Sequence, residues 1–70
     1  MRYRAMPSSV IRDFRYAPER SELHVAFTTG RRYRYFEVPA EIVEAMQAAF
    51  SKGEFFNRHI KDRFRFERDD

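Results

Sequence analysis

Glu22-Leu23-His24-Val25-Ala26-Phe27-Thr28, then Thr29-Gly30-Arg31, then Arg32-Tyr33-Arg34-Tyr35-Phe36-Glu37-Val38 is the run of residues that decides the fold. Leu23, Val25 and Phe27 fall on one parity, and Glu22, His24, Ala26 and Thr28 fall on the other. This is the period of a half-buried strand. Arg32 to Val38 is rich in aromatic and β-branched residues, which suit a pleated surface. Between the two runs, Gly30 is free to take the positive φ of a tight hairpin turn.

Upstream, Val10 to Tyr16 carries Val10, Ile11, Phe14 and Tyr16. Its apolar parity slips near Arg12-Asp13, so a short strand with a bulge is expected there. Ala17-Pro18-Glu19-Arg20-Ser21 reads as the turn into the next strand, because Pro18 presets φ for a turn's second position. Residues 1–8 show no steady period and read as a loose lead-in. Three strands joined by short turns make an antiparallel meander.

Downstream, Pro39 suits the first position of a helix, where its missing N–H costs nothing. Glu41 and Glu44 sit near the positive end of that helix's dipole. Ile42, Ala45, Met46, Ala49 and Phe50 share helical spacing and predict one apolar face. Ser51-Lys52-Gly53-Glu54 has the form of a capping box and opens a second helix, expected to run to about Asp62. In that helix Phe56 and Ile60 lie one turn apart, as do Phe55 and His59. Gly53 in the first turn implies crowding or a special φ, since glycine has low helix propensity. Arg63 to Asp70 reads as a tail whose phenylalanines fold back on the core, with residues 67–70 frayed. The expected fold is α+β: a three-stranded antiparallel meander with two helices packed on one face, in the order β-β-β-α-α. The whole chain, residues 1–70, is one domain.

Composition sets bounds on chemistry. The 70 residues contain no cysteine, so neither a disulfide framework nor a thiolate metal site is available. No apolar run approaches the length of a membrane span, and the N-terminal residues lack the apolar core of a secretory signal. At 43% hydrophobic and 36% charged, the chain has the balance expected of a soluble, cytoplasmic globular protein. The 14 basic residues exceed the 11 acidic ones, and all but Lys52 and Lys61 are arginine. Arginine suits bidentate phosphate contacts and stacking on bases, although a coding bias toward arginine yields the same composition. Positive charge gathers in residues 1–36 and 51–68, and negative charge in residues 37–50. That segregation permits nucleic-acid binding without demanding it.

Gly30-Arg31-Arg32-Tyr33-Arg34-Tyr35-Phe36-Glu37-Val38-Pro39 and Ser51-Lys52-Gly53-Glu54-Phe55-Phe56-Asn57-Arg58-His59-Ile60 resemble the KTSC domain family over roughly residues 8–66. That family is a small domain found at the C-terminus of some lysyl-tRNA synthetases and as free-standing bacterial proteins. Its hallmark Tyr-x-Tyr corresponds to Tyr33-Arg34-Tyr35. The combination with Phe-x-Val-Pro and Ser-x-Gly-x-Phe-Phe-Asn makes the resemblance specific. Phe64-Arg65 stands where a Tyr-Pro pair is common in the family, so the packing of the tail is expected to differ. Through the synthetase context, the resemblance implies RNA or tRNA as a partner.

Tyr33 and Tyr35 share one face of the third strand, and Arg32, Arg34 and Phe36 share the other. The tyrosines either join Leu23, Val25 and Phe27 beneath the helices or form a stacking platform on an open sheet, as in RNA-binding sheets. Aromatic stripes more often serve a core than a ligand. Val38 has the parity of Phe36 yet should pack inward, which a bulge near Phe36 would reconcile. Arg31, Arg32 and Arg34 cluster on the last hairpin, where they would hold phosphate or guard the sheet against edge-to-edge association. Asn57, Arg58 and Lys61 on the second helix would extend that patch, or form an ordinary solvated face.

The sequence therefore supports a non-catalytic binding module for RNA or tRNA. The alternative is a protein-interaction module with no nucleic-acid role, using the acidic first helix or exposed phenylalanines. His24 and His59 without a carboxylate at ligand spacing make a poor metal site, and no metal or cofactor is expected. A nuclease built from His59, Arg58 and Tyr35 has no motif behind it.

Overall fold

A computed structural model describes residues 11–69. The lead-in over residues 1–8, and Val10 of the expected first strand, lie outside the described residues. The elements run β1 Ile11–Ala17, β2 Glu22–Phe27, β3 Arg32–Tyr35, α1 Ala40–Ala48, α2 Lys52–His59 and β4 Phe66–Arg68. The strands form one antiparallel sheet in the order β1-β2-β3-β4. The α+β meander with two covering helices is as expected, with a strand added at its edge.

Each turn follows from local chemistry. At the first, the Arg20 N–H donates to the Ala17 carbonyl at 3.1 Å, and Ser21 takes φ 54°. At the second, the Gly30 N–H donates to the Phe27 carbonyl at 2.9 Å, with Gly30 at φ 97°. Ile11 pairs with Phe27 but Asp13 pairs with Ala26, so the register slips by one residue at Arg12. That is the bulge expected there, and it leaves Arg12 as the extra residue.

The register sorts side chains onto two faces. Phe14 and Tyr16 lie opposite Val25 and Leu23, which lie opposite Tyr33 and Tyr35. Ile11, Leu23, Val25, Tyr35, Val38, Val43, Met46, Phe56 and Ile60 form the buried core, with Phe14, Tyr16, Phe27, Tyr33, Ile42, Phe55 and Phe64 packed around it. The Phe56 ring meets Phe27 at 5.4 Å and Tyr35 at 5.3 Å between centroids, both edge-to-face. These are favoured arrangements for aromatic pairs, and they fix α2 on this face.

The chain reaches α1 by a left-handed residue rather than a bulge. β3 ends at Tyr35, and Glu37 takes φ 56°, which resets the parity and sends Val38 inward to full burial. The Val38 N–H donates to the Ser21 carbonyl at 2.9 Å, and the Tyr16 hydroxyl donates to the Val38 carbonyl at 2.6 Å. Both backbone groups of this buried residue are thereby satisfied. Phe36 keeps the parity of Arg34 and lies under the Arg34 and Arg65 guanidiniums, 5.6 and 4.5 Å from its ring centre.

Several expectations are corrected. Pro39 is the N-cap of α1, one residue before its first turn. Val43 and Met46 are the buried residues of α1, whereas Ala45 is exposed and Phe50 is fully exposed at 104%. The helical period drawn through Phe50 fails because the helix stops first: Ala49 has ψ 143°, and the chain swings outward there. Ser51 caps α2, accepting the Glu54 N–H at 3.2 Å, and Gly53 is buried in the first turn. α2 ends at His59 rather than near Asp62.

The expected frayed tail over 67–70 is instead an ordered edge as far as it is described. Phe66, Glu67 and Arg68 pair with Tyr35, Arg34 and Tyr33. The Phe36 N–H donates to the Arg65 carbonyl, and the Asp69 N–H to the Arg32 carbonyl at 2.7 Å. Three residues are too few to announce a strand by periodicity, and this one forms because β3 offers an unpaired edge with tyrosines against which Phe66 can pack.

Candidate nucleic-acid interface

The Tyr-x-Tyr pair belongs to the helix-covered face. Tyr35 is 2% exposed, and Tyr33 meets Phe27 at 5.7 Å and Phe66 at 5.5 Å between centroids. Burial, with the nearby Tyr33 and Asp62 adding to it, pushes the Tyr35 phenol up from 10.0 to about 12. It stays protonated at neutral pH. Tyr35 is thus a core side chain rather than a stacking surface.

Among the described residues no helix covers the other face of the sheet, which carries charge. Across it run two rows set by the register: Asp13, Ala26 and Arg32, then Arg15, His24, Arg34 and Glu67. β4 changes the electrostatics of the second row. Arg34 donates from Nη2 to Glu67 at 3.2 Å, and its Nε lies 3.4 Å from an Asp69 oxygen. His24 sits 3.3 Å from Glu22 and 3.9 Å from Asp69. Of the hairpin arginines, Arg34 therefore has its charge answered within the fold.

Arg31 and Arg32 are exposed and have no ion-pair partner among the described residues, and the same holds for Arg58 and Lys61. Asn57 is also exposed. The structure does not unite these residues into one patch. Arg32 projects from the open face, whereas Asn57, Arg58 and Lys61 belong to the helix and following turn packed on the opposite face. His59 stacks on Phe55 with centroids 4.5 Å apart, exposed and on the outer side of α2, while Tyr35 is sealed within the core. Among the described residues no three metal-ligating side chains come together, and no helix is long and apolar enough to cross a membrane.

Sequence reasoning missed Arg12 and Arg15. Arg15 shares the parity of Asp13 and lies opposite His24. The parity slip at Arg12-Asp13 was the available signal, because a bulge redirects the residue it inserts.

Comparisons with known proteins agree with this architecture. A lysine–tRNA ligase of Nostoc punctiforme is 42% identical over 59 residues, covering 84% of this chain, and the chain spans only 10% of that enzyme's length. A protein of Stutzerimonas stutzeri is 44% identical over 57 residues, covering 81% of this chain and 80% of the relative. The crystal structure of a KTSC domain protein from Yersinia pestis superposes with a TM-score of 0.86 at 30% identity, covering 96% of this chain and 94% of that one. With the KTSC domain family model also matching residues 7–64, the chain belongs to the KTSC domain family.

Proposed function

We propose that this chain is a cytoplasmic, non-catalytic module that binds RNA or tRNA electrostatically through its exposed arginines. One observation carries the reading. Arg31, Arg32, Arg58 and Lys61 remain exposed and without ion-pair partners among the described residues, although carboxylates from β2 and the C-terminal segment answer Arg34 and His24 nearby. Cationic side chains left free in this way suit phosphate. The similarity to lysine–tRNA ligases supports the same partner class.

The test is fluorescence anisotropy with labelled single-stranded RNA and with tRNA, at low and moderate salt. Binding should weaken steeply with salt, each neutralised phosphate on a single strand contributing roughly 0.7 to the slope. Arg32→Glu and Arg58→Glu report on the two faces separately, with circular dichroism to verify the fold. Wild-type protein that ignores RNA at low salt rules the reading out.

A second reading, a protein-interaction module with no nucleic-acid role, is favoured by Phe50. A fully exposed phenylalanine that lines one concavity with the stacked Phe55 and His59 suits an apolar contact. Such an interface would resist salt, so the same titration separates the two readings.

A further inference from the structure

We propose that the open face of the sheet carries a phosphate-binding groove, built by Arg12, Arg15 and Arg32 around Ala26. The groove deepens the RNA reading by naming a subsite, and rests on that reading for the source of the phosphate.

Its floor is a small residue between two charged ones. Ala26 lies between Asp13 on β1 and Arg32 on β3, and its methyl group leaves a depression that His24, in the next row, does not. Two adjoining concavities, of 260 and 300 Å³, share Asp13, Ala26 and Arg32 among their walls. Arg15 and His24 line the first, and Arg12 and Gly30 line the second. Arg12 reaches this surface because the bulge takes it out of strand alternation.

The charges are sorted along the groove. Arg12, Arg15 and Arg32 have no ion-pair partner among the described residues. Asp69, at one end, is occupied by Arg34 and His24. Asp13 is therefore the lining carboxylate without a cationic partner, and three free guanidiniums outnumber it. A phosphate presents several oxygens and can engage more than one guanidinium fork at once, which a carboxylate does less well. Both a phosphodiester in a strand and a free phosphate share this chemistry.

The experiment follows backbone amide shifts of isotope-labelled protein during titration with pyrophosphate and, separately, with a short oligouridylate. Anisotropy supplies affinities for the variants. Shifts should centre on Arg12, Asp13, Ala26 and Arg32 with both probes. Ala26→Leu fills the floor without changing charge, and should weaken both probes by at least about tenfold. Asp13→Asn removes the opposing carboxylate and should tighten both severalfold. Arg63→Gln, in the turn that follows α2, should leave pyrophosphate binding unchanged. Circular dichroism verifies that each variant is folded, and Ala26→Ser serves as a small-residue control that should bind like wild type.

RNA binding that survives Ala26→Leu and Asp13→Asn unchanged, or shifts confined to α2, overturns the groove and leaves the RNA reading standing. Pyrophosphate bound with the expected variant pattern, with no oligouridylate or tRNA binding, upholds the groove and removes the RNA reading. Absence of amide shifts at the groove with both probes overturns the groove outright.

Discussion

On β3, Tyr33 and Tyr35 turn toward the helices while Arg32 and Arg34 turn away, and the two faces they help build hold together by different physics. The covered face is a continuous apolar layer in which Tyr35, Phe56 and Phe27 meet edge to face. The open face is a lattice of charges, partly closed on itself by Glu22, Glu67 and Asp69. Burial is worth kilocalories per side chain, whereas solvated ion pairs are worth a fraction of one. Stability should therefore lie on one face, leaving the other free to vary.

The hardest test of that contrast is Phe56→Ala. It removes a ring that touches both β2 and β3 aromatics, and should cost roughly 3–5 kcal/mol, comparable to the whole stability of a domain this small. Chemical denaturation measures it. A midpoint close to wild type would break the comparison.

Alkaline titration offers the next test. In the unfolded chain the Tyr35 phenol ionises near 10.0, and in the folded protein near 12. The folded state holds the proton more tightly, so the contribution of the neutral phenol is complete below pH 10. It is lost as pH rises from 10 through 12, because ionisation favours the unfolded chain over that window. Tyrosinate absorbance should show a late-ionising component that Tyr35→Phe removes, and the same variant should flatten the alkaline decline in stability.

Tyr16→Phe isolates a polar contact on the covered side. It removes the hydroxyl that satisfies the Val38 carbonyl, and should cost about 1 kcal/mol. Thermal denaturation checks it, and an unchanged melting point would mean the carbonyl finds another donor.

The smallest effect belongs to the open face. A double-mutant cycle on Arg34→Ala and Glu67→Ala should give a coupling below about 1 kcal/mol, because both side chains are in contact with solvent. A coupling of several kcal/mol would erase the distinction between the faces.

Much of this architecture was legible because the patterns were long enough to read. The alternation of Leu23, Val25 and Phe27 identified β2, the Ser51–Glu54 spacing located the start of α2, and the slip at Arg12-Asp13 marked the bulge. Phe50 was misread because periodicity does not say where a helix stops, and Ala49 ends it one residue too soon. On the site, Arg31, Arg32, Asn57, Arg58 and Lys61 were correctly surface residues, but their division between two sides of the molecule was not visible in the chain.

Sequence by itself determined the local decisions: strand or helix, the hairpin at Gly30, the cap at Ser51, and the alternation that puts tyrosines on one side and arginines on the other. These follow from propensity and spacing among residues a few positions apart. Tertiary structure alone decided that Phe66–Arg68 would add a fourth strand, that Glu67 and Asp69 would answer Arg34, and that Arg12, Arg15 and Arg32 would gather around Ala26. Those outcomes bring together residues distant in the chain, through hydrogen bonds and charges that exist only once the sheet edge has formed.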